Sequence, residues 1–258
     1  MSFPLLPRVV SAAEIDSVAV TGHIIIPFLT AAHPAKHFLQ NYPREVKVSV
    51  DASLEAQISV DDIVELLNAG FSQAVVPETA FDQAVAAGLP SERLIISGPT
   101  KAATDVFVDE ELTQKEFEKL SCSGKYSVYI TGVKSEQKAV QLAEKGYIIV
   151  VDAADLTSKA AETGKISISA VFVATLSTDR PDGLYTTLIT TPAPLNSALG
   201  VVYSSKASIQ AAISEGEGVY QSRKRTDELW YEGKTSGATQ KLLKLEKDCD
   251  SDLVRFVV

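Results

Sequence analysis

EVKVSVDASLEAQISVDDIVELLNAGFSQAVV, residues 45–76, decides the fold. EVKVSV (45–50) is a short β-branched run that reads as a strand. Ser59 then precedes VDDIVELLNA with Asp62 three residues on, the spacing of a capping box, and Gly70 supplies the stop. QAVV (73–76) opens the next apolar run. The strand–helix–strand order recurs outward from this unit to about Thr175. Thr79 is expected to cap a helix ending at Gly88, before RLIIS (93–97). Thr113 with Glu116 is expected to open another helix, followed by YSVYIT (126–131). Ser135 opens a helix stopped by Gly146, and YIIVV (147–151) follows. A short helix ending near Gly164 and an apolar run ISISAVFVAT (166–175) complete the series. Continuous apolar runs alternating with helices mean parallel strands covered on both faces. The leader is therefore an α/β domain of repeated βα units, either barrel-like or an open parallel sheet.

The pattern changes at STDRPDG (177–183), which is polar and turn-rich, so the expected domains are 1–178 and 179–258. LYTTLIT (184–190), ALGVVYS (198–204), GVYQSR (218–223), ELWYE (228–232) and QKLLKLEK (240–247) read as strands, with one helix, KASIQAAISE (206–215), stopped by Gly216. That is a smaller α+β domain with mostly antiparallel pairing. The last run, LVRFVV (253–258), reads as a strand, and an end inside it suggests truncation or a missing partner segment.

Composition narrows the function classes. The 258 residues carry 24 Lys and Arg against 33 Asp and Glu, a net charge of −9, which excludes a generally basic nucleic-acid binder and gives no attraction to anionic membranes. The charge is uneven: residues 179–258 hold ten Lys and Arg against eleven Asp and Glu, so the second part is nearly neutral and better suited to an anionic ligand. Two cysteines, Cys122 and Cys249, exclude a disulfide framework. No run approaches the roughly 20 apolar residues of a membrane span. MSFPLLPRVVSAAE lacks the basic and hydrophobic regions of a secretion signal. The cytoplasm is the expected location.

Ligands of parallel α/β domains favour the carboxyl ends of strands, where Asp51 and Asp152 fall. They read either as an acid/base pair across a barrel mouth or as residues that begin turns. His23, His33 and His37 read as ordinary surface or core histidines, because Pro34 interrupts any helix that would pair the last two.

Asp248-Cys249-Asp250-Ser251-Asp252 is the most specific stretch. In an extended segment its three acids share one side and Cys249 takes the other. Hard carboxylate oxygens suit Mg²⁺ and a soft thiolate suits Zn²⁺; the alternative is a solvated acidic turn. Ser222, Arg223 and Arg225 end a strand and either hold phosphate oxygens or form a basic hairpin tip. Thr235, Ser236 and Gly237, in GKTSG (233–237), offer hydroxyls and backbone N–H groups to a phosphate. Trp230 reads as packing, with base stacking as the alternative.

In this order, Ser205, Ile209, Gly216, Tyr220, Ser222, Arg223, Arg225, Trp230, Gly233, Thr235, Ser236, Gly237, Gln240 and Asp248 to Asp252 resemble the phosphoribosyl-AMP cyclohydrolases of histidine biosynthesis. DRPDGLYTTL (179–188) and LGVVYSSK (199–206) resemble the fungal form, which sits in multifunctional proteins behind an α/β leader. The resemblance implies a hydrolase in which zinc-activated water attacks C6 of the adenine ring of phosphoribosyl-AMP and opens the N1–C6 bond. It implies Cys249 as a Zn²⁺ ligand, Asp248, Asp250 and Asp252 as Mg²⁺ ligands, and Ser222, Arg223, Arg225, Thr235, Ser236 and Gly237 along the phosphoribosyl groups. It also implies a homodimer. Lys234 and Ala238 depart from the family's GETSGN turn. The family's pattern continues to a histidine and two cysteines after the acidic stretch, so this chain alone is expected to turn over little. The alternative is a non-catalytic remnant that binds phosphoribosyl nucleotides or other subunits.

Overall fold

The computed structural model describes residues 3–28, 45–98, 105–110, 126–222 and 228–258. Its first part is a closed parallel barrel of strands β1 (Leu5–Arg8), β2 (His23–Pro27), β3 (Lys47–Asp51), β4 (Ala74–Pro77), β5 (Leu94–Ser97), β6 (Val106–Asp109), β7 (Val128–Thr131) and β8 (Ile148–Asp152). The strands follow in chain order, and β8 closes on β1 with Leu5 opposite Ile149 and Arg8 opposite Asp152. This closure settles the choice between barrel and open sheet. It also explains why the runs are apolar throughout. Leu6, Ile25, Val75, Ile95, Phe107, Tyr129, Ile148 and Val150 pack together inside. Their neighbours Leu5, Ile24, Val48, Val50, Ala74, Val76, Ile149 and Val151 pack in the outer layer. An eight-stranded barrel is just narrow enough for side chains to fill it.

The helices carry the expected signals in part. After the single turn α1 (Ile15–Val18), α2 (Val60–Ala69) starts at Ser59, whose hydroxyl accepts the Asp62 N–H at 3.1 Å while the Asp62 carboxylate accepts the Ser59 N–H at 3.0 Å. Gly70 ends it at φ +114°, a left-handed conformation that glycine reaches without strain. Ser135 likewise precedes α4 (Glu136–Glu144) and accepts the Lys138 N–H.

Other expectations are corrected. Between these two, α3 (Glu78–Ala86) starts from Pro77 rather than Thr79, because Pro77 turns the chain straight out of β4. Residues 153–164 hold no α-helix; a 3-10 turn at Ala153–Asp155 leads into β9 (Leu156–Thr157). ISISAVFVAT is not one strand. Its first residues form β10 (Ile166–Ser167), and Ser167 then caps α5 (Ile168–Ala174) by accepting the Ala170 N–H at 3.3 Å. β1, β2 and β6 are strands that the sequence pattern did not single out. Pro7 is tolerated because β1 pairs with β2 only from Arg8 onward. The expected helix at Thr113 and Glu116, together with His33, His37 and Cys122, lies outside the described residues.

The second part is a four-stranded sheet in the order β12 (Ala198–Ser204), β11 (Tyr185–Thr190), β16 (Leu253–Val257), β15 (Lys244–Lys247). Only β11 and β16 run parallel; the outer pairs are antiparallel. LVRFVV is thus an inner strand, hydrogen-bonded on both sides. α6 (Lys206–Glu215) and a hairpin of β13 (Val219–Gln221) and β14 (Leu229–Tyr231) complete this part. None of the described helices is long and apolar enough to cross a membrane.

Side chains bridge the barrel and the sheet. Lys244 of β15 lies over Gly22 and reaches Glu45 at 3.5 Å and Glu246 at 2.9 Å. Glu45, only 6% exposed, also accepts the Ala193 N–H. Phe3 stacks on Phe172 of α5 with ring centres 4.6 Å apart, tying that helix to the barrel's start.

Candidate functional site

The acidic stretch is the five-residue loop of the hairpin β15–β16, not an extended segment. Lys247 pairs with Val254, and the Asp248 N–H donates to the Leu253 carbonyl at 3.2 Å, closing the loop. The Asp248 carboxylate turns inward and accepts the N–H groups of Asp252 and Leu253, both at 3.2 Å. Ser251 sits at φ +67°, which lets the chain reverse within so few residues. This reversal, rather than strand alternation, gathers the acids: one carboxylate oxygen from each of Asp248, Asp250 and Asp252 lies within 4.8 Å of the others.

Electrostatics separate the three. Burial would raise the Asp248 carboxyl, but the Leu253 N–H and hydrogen bonds with Asp250 and Asp252 outweigh it and hold it below the ordinary value. Asp252 is raised, by loss of water first and then by the adjacent charges of Asp250 and Asp248. Like charges held this close are relieved by a cation, and three hard oxygens match Mg²⁺ or a similar ion. Cys249 is exposed and unpaired in a disulfide, and its sulfur is not part of the carboxylate group. Among the described residues no histidine or second cysteine joins it. Among the described residues the donors for zinc are therefore one thiolate, short of the three protein ligands a catalytic zinc normally takes.

The other expected residues lie on the β13–β14 hairpin and the turn after it. Ser205 caps α6 by accepting the Ser208 N–H at 3.1 Å and donates to Gln221 at 2.9 Å, fixing the end of β13. The Ser222 N–H donates to the Glu228 carbonyl at 3.4 Å, so Ser222 stands where the hairpin opens into its loop. Arg223 and Arg225 lie outside the described residues. Thr235, Ser236 and Gly237 are exposed in the turn after β14. The turn needs Gly233: a Cβ there would come within 2.2 Å of the Ala238 backbone, at φ +73°. Lys234 lies over the Tyr231 ring, 4.8 Å from its centre. A cavity of about 410 Å³ beside it is lined by Glu215, Glu217, Tyr231, Glu232, Lys234 and Thr239. Lys234 is the cation among those residues, so the departure from the family's acid partly offsets three glutamates.

Sequence reasoning missed the packing that supports this hairpin. Tyr220 is fully buried and donates to the Gln240 side chain at 2.7 Å, with Trp230 edge-on at 5.8 Å. Gly218 passes so close that a Cβ would lie 2.8 Å from both Tyr220 and Gln240. The G-V-Y spacing was the available signal. Trp230 remains 44% exposed beside that edge contact.

At the barrel mouth, Asp51 and Asp152 both face Arg8, at 2.9 and 3.6 Å. Asp51 also accepts the Ser53 N–H at 3.1 Å, as a residue beginning a turn does. The geometry gives the pair a counter-ion.

With this geometry in place, comparison with known proteins is informative. Residues 200–258 match the family model described as phosphoribosyl-AMP cyclohydrolase. All of the chain aligns with the histidine biosynthesis trifunctional proteins of Candida albicans, at 48% identity, and Komagataella pastoris, at 36%. It covers 31% and 32% of their lengths. A histidine biosynthesis bifunctional protein of Schizosaccharomyces pombe is 32% identical over 86% of this chain and 59% of its own.

Proposed function

We propose that residues 179–258 form a phosphoribosyl-AMP cyclohydrolase unit, a hydrolase of histidine biosynthesis, placed behind a barrel unit of residues 1–178 in a cytoplasmic protein. The observation that carries the reading is the convergence of Asp248, Asp250 and Asp252 within 4.8 Å, inside the segment that matches the family model. The substrate is phosphoribosyl-AMP: water adds its oxygen to C6, the N1–C6 bond breaks, and N1 gains a proton. A divalent cation on the carboxylates supplies positive charge for phosphate and for polarising water.

This chain's own residues would divide the remaining work. Asp248 shapes the loop through the two N–H groups it accepts, leaving Asp250 and Asp252 to face the cation. Ser222, Arg223, Arg225, Thr235, Ser236 and Gly237 take the phosphoribosyl oxygens through hydroxyls, guanidinium forks and backbone N–H groups. Cys249 is available to zinc as one soft ligand. A second reading, nucleotide binding without turnover, is favoured by Cys249 standing alone among the described residues. We also propose a homodimer, supported by edge strand β12, where Leu199 is 55% and Val201 63% exposed.

Adenine-ring opening, followed by absorbance with phosphoribosyl-AMP and Mg²⁺ and Zn²⁺ supplied, tests the reading. The hydrolase reading predicts slow turnover by this chain alone, which D250N/D252N abolishes. Nucleotide binding with no turnover in either protein selects the second reading.

A further inference from the structure

The carboxylate loop is held from outside the segment that matches the cyclohydrolase model. Ser177, directly after the buried Leu176 that follows α5, makes two hydrogen bonds to it. Its backbone N–H donates to the Ser251 carbonyl at 3.1 Å, and its hydroxyl donates to the Asp250 carbonyl at 3.0 Å. Those two carbonyls belong to the peptide planes on either side of the Ser251 α-carbon. Pinning both planes fixes the φ and ψ of Ser251, the non-glycine residue in the loop held at positive φ. Such a conformation persists where surrounding contacts over-determine it.

The dihedrals at Ser251 also set how Asp250 and Asp252 face each other. A second tether reinforces the first: the Lys247 ammonium, at the loop's entry, donates to the Thr175 carbonyl at 3.3 Å. The base of both tethers is rigid, because Ile168, Val171 and Phe172 of α5 are fully buried.

We propose that Ser177 is the positioning residue of the carboxylate loop, and that the barrel serves the site by presenting it. The inference rests on the cation-binding reading for its functional meaning, but its structural core is testable alone. The variants are Ser177→Ala, which removes the hydroxyl, and Ser177→Thr, which keeps both donors. Two measurements are made on the full chain: Mn²⁺ affinity by titration, and amide hydrogen exchange at Asp252 and Leu253, whose N–H groups close the loop on Asp248. Ser177→Ala should weaken Mn²⁺ binding and speed exchange at these two amides, each by about fivefold, the weight of one hydrogen bond. Ser177→Thr should restore both. A merely structural residue would lower the melting temperature without a selective change at these amides. Faster exchange in Ser177→Ala with no Mn²⁺ bound by any variant would leave the positioning role standing and remove the cation reading. Unchanged exchange at Asp252 and Leu253 overturns the proposal.

Discussion

Cys249 and Asp248 are sequence neighbours with opposite duties. Asp248 is partly buried and spends its carboxylate on two backbone N–H groups, so its removal unravels the loop. Cys249 is exposed and in no disulfide among the described residues. Cys249→Ser should therefore shift stability by less than about 0.5 kcal/mol, while any zinc affinity measured by chelator competition drops sharply. An unchanged zinc affinity would remove the thiolate from the metal's ligands. The composition of this stretch was legible in the sequence. The geometry was not. Strand alternation placed three acids on one side, whereas a hairpin reversal at Ser251 brings them together; the positive φ of a serine leaves no mark in residue type. Ser177 was invisible for a plainer reason, lying more than 70 residues from the loop it holds.

At the scale of elements, caps and glycine stops were read well where side chain and backbone interact locally, as at Ser59 and Gly70. Errors arose where local preference met tertiary context. ISISAVFVAT has the β-branched content of a strand, but Ser167 caps it and burial on all sides makes it a helix. Strand β2 carries a second consequence. His23 lies 2.8 Å from the Ser49 hydroxyl, and burial, aided by the charge of Lys47, pushes its pKa down to about 4. Its folded value lies below the unfolded value of 6.5, so the unfolded chain binds the extra proton between them. The contribution to stability is full above about pH 6.5 and is lost as pH falls toward 4. His23→Gln should flatten the acid limb of a melting-temperature profile across this window. An equally steep limb in the variant would show that His23 stays neutral in both states or titrates alike in both.

Taken whole, the molecule is a barrel and a sheet joined through buried contacts, with one hydrophobic core running through both. Lys244 lies across Gly22 and neutralises Glu45, which is 6% exposed. Removing the ammonium leaves a buried carboxylate with reduced compensation, so Lys244→Met should cost about 3 kcal/mol while still covering Gly22. Glu45→Gln in the same chain should recover much of that loss, and an additive double variant would argue against the pairing. The barrel was legible from its repeats, but its closure was not, since β1 and β2 lie outside the stretch where caps and stops mark each unit. Magnesium calorimetry on the intact chain and on D250N/D252N reaches the centre of the account most directly. One ion should bind per chain, and its heat should be lost in the double variant. Identical heats in the two proteins, or none in either, would contradict it.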